Sequence, residues 1–446
     1  MNVIGKRIIS ICLVLSIIFL GVKGLNYILV DDEQSYTRVM MHEFYNQDNI
    51  DVLCVGASHC YQGINPDKVS ELTGKKVFNA GSSNQTIDVS FELIKEAARC
   101  YDIREVYLEM SASMAMWTGN YKERDSLTNV YIITDYMKNS PEKVRFLLEA
   151  SGSAYYVNGF FPGLRYRQSV VDVPSVLSII SKKQANTYKR YEYAKLQNEY
   201  SRYVGKGFVE KTRSVGEYGF YRPDSDNERI DVSKISSDWE KTLLEIIEFC
   251  SHNDILLTLY DSPVSEYQLA AQENYDEYID YINGIVNGLE VRYAEFNLLR
   301  GDYLPFDVNN YEDGHHYNKY GAEVFSTFLA KYMKGEVPES AYYGSVAEKL
   351  NDISPRYYGI SYVDHEDIQG RTLKLISNRN EYFEYKVEVV VGRNISLIQD
   401  YSLNNEVFVP FAVLKDSENN KENVIMVSFR KRGTDAEGIR VEYSMR

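Results

Sequence analysis

A chain of 446 residues with 44% hydrophobic and 25% charged residues is long enough for two or three folded units and is ordinary for a globular protein. Its formal net charge of −15 excludes a nucleic-acid binder, which needs a basic face, and argues against a broad electrostatic hold on anionic lipid. Five scattered cysteines (Cys12, Cys54, Cys60, Cys100 and Cys250), with no CxxC pair, argue against a disulfide scaffold.

Residues 8–22 read IISICLVLSIIFLGV, after Lys6 and Arg7, and a second apolar patch follows at 25–30. Together they nearly reach the roughly 20 residues of a membrane span. The preceding basic residues leave the N-terminus in the cytoplasm. We expect an uncleaved single-pass anchor over 1–30 in the cell membrane, with the remaining chain extracytoplasmic. A cleaved signal peptide is the rival, but no A-x-A-like site and no cysteine placed for lipid attachment follows.

From 51 the pattern alternates. Short apolar runs at 51–55, 77–78, 105–110, 255–260 and 291–296 read as buried parallel strands. Helical patterns fall at 66–72, 86–100 and 239–250, the second with Phe91, Ile94 and Ala98 on one face. This predicts an α/β sandwich with a parallel sheet, over 31–340. Residues 111–236 interrupt it as a Tyr-rich, partly helical insertion over the C-terminal sheet edge, with Tyr188, Tyr191, Tyr193, Tyr200 and Tyr203 close together. It is either a lid or groove, or a packing subdomain. The chain's 39 tyrosines suit sugar surfaces but equally fill strands and helices. Over 341–446, strand-like runs at 371–376, 382–391, 405–413, 423–429 and 439–443 predict a small β-sandwich. It binds carbohydrate or a partner, or it is a spacer.

Two motifs carry chemistry. Gly56-Ala57-Ser58-His59 follows the first strand and presents a serine to the ligand crevice, where an opening helix helps hold an oxyanion. Asp313-Gly314-His315-His316 lies on a loop before a helix starting near Asn318. The Asp-x-x-His spacing lets one turn hold Asp313 against His316, which then takes the Ser58 proton. His315 is the rival base. His59 and His315 are candidate substrate contacts. A metal cluster of His59, His315, His316 and Asp313 would leave Ser58 and Gly81 unexplained, so neither a metal nor a cofactor is expected.

These motifs resemble the blocks of the SGNH/GDSL hydrolase superfamily, over roughly 51–333 without the insertion. The chain is similar in particular to its membrane-anchored envelope branch, which includes alginate O-acetylation factors and the D-alanyl transfer protein of teichoic acid. The resemblance implies a three-layer α/β/α sandwich, with Ser58 as nucleophile, Asp313 and His316 completing the triad, and the Ser58 and Gly81 N–H groups lining an oxyanion hole. Asn318 and Gly321-Ala322 fit the usual continuation. The chain departs from the pattern twice. Ala57 replaces the aspartate before the serine. The third block, G-x-N-D, is replaced by Glu109-Met110-Ser111-Ala112-Ser113, so its oxyanion asparagine has no direct counterpart and Asn84 and Ser111 are the candidates to substitute for it. The implied activity is serine-dependent O-acyl (acetyl) transfer or esterase chemistry on a cell-envelope polysaccharide, with a multi-spanning membrane acyltransferase as a partner. The alternative is a non-catalytic glycan-binding or assembly protein.

Overall fold

Alternate residues of five short strands point to opposite faces of one sheet, and each set has its own helices to pack on. The computed structural model describes residues 3–117, 127–166, 172–192, 200–216, 229–363, 369–414 and 423–445. The first strands are β1 (Val52–Val55), β2 (Val77–Asn79), β3 (Glu105–Glu109), β4 (Ser201–Gly205), β5 (Phe208–Lys211), β6 (Leu256–Asp261) and β7 (Arg292–Glu295). Five of them form a parallel sheet in the order β2-β1-β3-β6-β7. Leu53, Val55, Val106, Leu108, Leu257 and Leu259 share a core with helices Ile87–Cys100, Ser237–His252 and Tyr275–Val286. Val52, Cys54, Tyr107 and Tyr260 share another with helices Pro66–Thr73 and Lys319–Met333. The result is an α/β fold with helices on both faces of the sheet. Each fully buried aliphatic side chain contributes about 1.5–3 kcal/mol, which sets the strand register.

The helix starts follow local chemistry. The Asn65 side chain accepts from the Asp67 and Lys68 N–H groups ahead of Pro66, and Ser236 accepts from the Trp239 N–H.

The N-terminal helix, Val3–Leu29, contains a 23-residue apolar stretch, Arg7–Leu29, none of it buried. It is therefore no core helix of a globular unit. Helices Pro162–Tyr166 and Val173–Gln184 of the insertion pack against it. The Asn26 side chain accepts from the Gly163 N–H at 2.9 Å, and Lys182 pairs with Asp31 at 2.6 Å. The insertion is more helical than the sequence suggests, with helices Ala112–Trp117, Thr128–Thr134 and Pro141–Phe160 ahead of these. Its β4–β5 hairpin donates no strand to the main sheet but bonds to its edge, where Lys206 O accepts from Asn79 N at 3.1 Å. Tyr188 and Tyr191 stack on the Arg38 guanidinium, and Tyr203 is buried. These three rings are packing contacts, whereas Tyr200 is exposed and Tyr193 lies outside the described residues.

The C-terminal strands are β8 (Tyr357–Val363), β9 (Gly370–Ser377), β10 (Phe383–Val391), β11 (Asn394–Ser402), β12 (Glu406–Pro410), β13 (Asn423–Lys431) and β14 (Ile439–Met445). They form antiparallel sheets β11-β10-β13-β14 and β12-β9-β8, joined by one core that includes Ile360, Leu375, Tyr385, Val387, Val427 and Phe429. The sequence reading missed β8, which Gly359 interrupts, and β11, none of whose residues is buried. The expected strand 405–413 stops at Pro410, which has no N–H to continue the ladder; the short helix Phe411–Leu414 follows.

Candidate active site

The strand after β1 in sequence lies on one side of it, and β3 lies on the other. Such a reversal opens a crevice at the C-terminal strand ends. Ser58 stands in it. Gly56 makes the turn with φ +152°, and a Cβ there would lie 2.4 Å from Glu109 Cβ. Helix Ser58–Gly63 begins at once, because Cys60 N and Tyr61 N both donate to Ala57 O. The Ser58 N–H sits in the first turn, where the helix itself has no acceptor for it. Gly56→Ala must displace Glu109 or the turn. We expect a loss of about 2–3 kcal/mol in chemical denaturation, beyond what an exposed glycine would show. A midpoint within error of wild type would refute this packing.

The opposite wall is the loop before helix Lys319–Met333. Asn318 caps that helix by accepting from the Tyr320 and Gly321 N–H groups, and its Nδ2 donates to Asn309 O at 2.6 Å, which ties the loop down. Asp313 Oδ1 accepts from the backbone N–H groups of His315 (3.0 Å) and His316 (2.9 Å). Its Oδ2 lies 2.9 Å from His316 Nδ1, and His316 Nε2 lies 2.7 Å from Ser58 Oγ. A carboxylate only accepts, so Nδ1 carries the proton and Nε2 is left to receive the serine O–H. The structure thus brings Ser58, His316 and Asp313 into one hydrogen-bonded chain.

The expected oxyanion donors fare differently. The Gly81 N–H donates to Asn79 Oδ1 at 3.0 Å, and Gly81 packs on the Tyr61 backbone and Cys60. The N–H expected to line the oxyanion hole is thus engaged by the Asn79 side chain in this structure. Asn79 Nδ2 donates to Cys60 O and Ile64 O, so the residue staples this turn. Asn84 occupies an exposed left-handed turn, with φ +48°. Ser111 Oγ pairs with Ser113 Oγ at 2.8 Å. The Cys60 thiol is buried, and burial pushes its pKa well up, so it is no rival nucleophile.

His59 and His315 are brought together, with His59 Nε2 at 2.8 Å from His315 Nδ1. Behind His59 stands a residue that sequence reasoning missed. Glu109, at the end of β3, accepts from Ala57 N at 2.8 Å and lies 3.3 Å from His59 Nδ1. The available signal was an acidic residue closing a buried strand just after its apolar centre. The donor atoms of His59, His315 and His316 lie within 4.8 Å of one another, a spacing that a cation tolerates. In this structure both His316 nitrogens are engaged by Asp313 and Ser58, and the His59–His315 contact is a direct hydrogen bond. The trio is therefore a hydrogen-bonded network. A small cavity of about 30 Å³ borders it, lined by His59, Glu109, Ser111, Asp261, Ser262 and His315 among others.

Behind that cavity, Asp261 and Glu295 sit on adjacent strand ends and share the Tyr293 hydroxyl at 2.9 and 3.0 Å. Burial first, and then the Glu295 charge, raises the Asp261 pKa well above the carboxylate range; Glu295 is raised by burial too. The folded state therefore keeps a proton that the unfolded chain loses near pH 4. Stability from this pair is present at low pH and falls as pH rises, by about 1.4 kcal/mol per unit for one proton. Asp261→Asn should flatten that fall between pH 5 and 8 in thermal melts. Parallel wild-type and variant curves would show that no proton is shared.

No family model matches the chain, and no curated protein does. Among solved structures, a Streptococcus pneumonia protein described as a candidate platelet activating factor matches at 12% identity, covering 70% of this chain and 98% of that one, with a TM-score of 0.31. A superposition this loose decides neither the activity nor the details of the fold.

Proposed function

We propose that the chain is an extracytoplasmic serine enzyme of the SGNH/GDSL kind, an O-acyl (acetyl) transferase or esterase acting on a cell-envelope polysaccharide. One observation carries this reading: the Asp313–His316–Ser58 chain of 2.9 and 2.7 Å, standing at the crevice of a parallel sheet. Ser58 Oγ attacks the ester carbonyl, His316 Nε2 takes its proton and passes it to the leaving oxygen, and Asp313 holds the tautomer and stabilises the imidazolium. Water or a sugar hydroxyl then takes the acyl group from Ser58. The apolar helix, about 34 Å long at 1.5 Å per residue, fits a single membrane span and keeps the site near the outer face. A multi-spanning membrane partner is the natural source of the acyl group.

The second reading, a non-catalytic glycan-binding or assembly protein, is favoured by the engaged Gly81 N–H and the lack of an asparagine at the end of β3. The deciding experiment incubates the full chain in nanodiscs with an O-acetylated polysaccharide and an unacetylated acceptor oligosaccharide. Mass spectrometry then follows acyl-Ser58 and the acceptor. Acetylated acceptor indicates transfer, and free acetate alone indicates an esterase. Glycan binding without acyl-Ser58 or product moves the chain to the second reading.

A further inference from the structure

Glu109 is the residue that the triad leaves unexplained. Its side chain is 2% exposed. One carboxylate oxygen, Oε2, accepts the Ala57 N–H at 2.8 Å, and a single amide does not balance a buried charge. The other oxygen lies 3.3 Å from His59 Nδ1, on a ring that is itself 11% exposed. The pair sits on the β3 side of the nucleophile turn, because β3 runs directly beside β1. His59 Nε2 faces the catalytic loop, 2.8 Å from His315 Nδ1, and the His59 ring centroid is 5.1 Å from that of His316, which holds Ser58. On this side of Ser58 the strand end supplies no amide side chain, and on the other side the Gly81 N–H is engaged.

We propose that His59, charged and held by Glu109, is the side-chain oxyanion donor of this site; the inference rests on the acyl-ester reading above. With Nδ1–H on Glu109 and Nε2–H on His315 at rest, His59 is an imidazolium whose counter-charge is the buried carboxylate. As Ser58 Oγ bonds to the carbonyl carbon, the serine proton passes to His316 and the carbonyl π pair moves onto oxygen. His59 Nε2–H then turns from His315 to that oxygen. When the carbon–leaving-group bond breaks, the pair returns to form C=O, the His316 proton goes to the leaving oxygen, and His59 resumes its bond to His315. His59 transfers no proton. Glu109 is a positioning residue that fixes the ring and its charge.

The test uses the full chain in nanodiscs with p-nitrophenyl acetate. His59→Ala should lower kcat by about 10²–10³ with KM within roughly threefold, the size of one oxyanion donor. His59→Gln, which restores an uncharged N–H, should recover at least about tenfold of that loss. Glu109→Gln, which removes the carboxylate facing His59 Nδ1, should lower kcat by less than His59→Ala does and leave KM unchanged. A folded His59→Ala within threefold of wild-type kcat, or a His59→Gln no faster than His59→Ala, overturns the proposal. If the wild type shows no Ser58-dependent turnover and Ser58 resists fluorophosphonate labelling, the acyl-ester reading fails with it. Active, Ser58-dependent wild type beside an equally active His59→Ala sinks this inference alone.

Discussion

Ser58→Ala should remove turnover of p-nitrophenyl acetate, with kcat falling by at least about 10³ and the fold intact. The side chain makes one hydrogen bond, to His316 Nε2, and is half-buried, so its loss costs the fold about 1 kcal/mol or less. The catalytic loss is far larger because no neighbour can replace the nucleophile. The Cys60 thiol is buried with its pKa raised, and its S–H donates to Asn79 Oδ1 at 3.2 Å. The hydroxyls of Ser111 and Ser113 bond to each other. What activity remains should come from oxyanion stabilisation and substrate binding alone, as in other serine triads stripped of one member. The paired measurement is fluorophosphonate labelling, which should mark the wild type and leave the variant unmarked. Equal rates in both proteins would mean that the Ser58–His316 contact is structural.

The site was legible in the sequence to the extent that its groups are neighbours in the chain. Asp313 and His316 are three residues apart, and one turn of backbone brings them together whatever the rest of the protein does. Ser58 follows a short apolar run, and a buried parallel strand delivers its last residues to a crevice. Most of the sheet strands were legible for the same reason, as short runs with an apolar centre; β7, Arg-Tyr-Ala-Glu, carries the weakest apolar signal of the five. The Glu109–His59 pair was not, since its members are 50 positions apart and only the β1–β3 pairing joins them. The engagement of the Gly81 amide was not legible either, because its acceptor is a side chain two residues back, Asn79, whose direction depends on the helix packed over it. β11 stayed hidden because a strand without a buried residue has no core face to stamp a period-two pattern on the sequence.

The insertion had two readings, lid or packing subdomain, and its contacts favour the second for the residues described. Its helices pack on the apolar N-terminal helix, its hairpin bonds to the edge of β2, and Tyr188 and Tyr191 close over Arg38. These contacts fix the sheet relative to the apolar helix. In the membrane-anchored reading, they set the height of Ser58 above the bilayer.

Asp313→Asn separates charge and tautomer from shape, and it should cost nearly as much as losing the nucleophile. Asp313 Oδ1 accepts two backbone N–H groups, at 3.0 and 2.9 Å, while Oδ2 accepts from His316 Nδ1. An asparagine keeps the two backbone bonds only by turning its oxygen towards them. Its NH₂ then faces His316 Nδ1, which has to become an acceptor. The imidazole proton moves to Nε2 and points at Ser58 Oγ, so the ring no longer accepts the serine proton. A drop of about 10⁴ in kcat follows, with KM little changed and the melting curve close to wild type, because the loop retains its anchoring bonds. Asp313→Ala breaks those bonds too, and should lower the melting midpoint as well as kcat. A loss below about tenfold in Asp313→Asn would mean that another group sets the His316 tautomer. His315 is the neighbour to test next, since its ring centroid lies 4.0 Å from that of His316 and its Nε2 lies 3.8 Å from the same carboxylate.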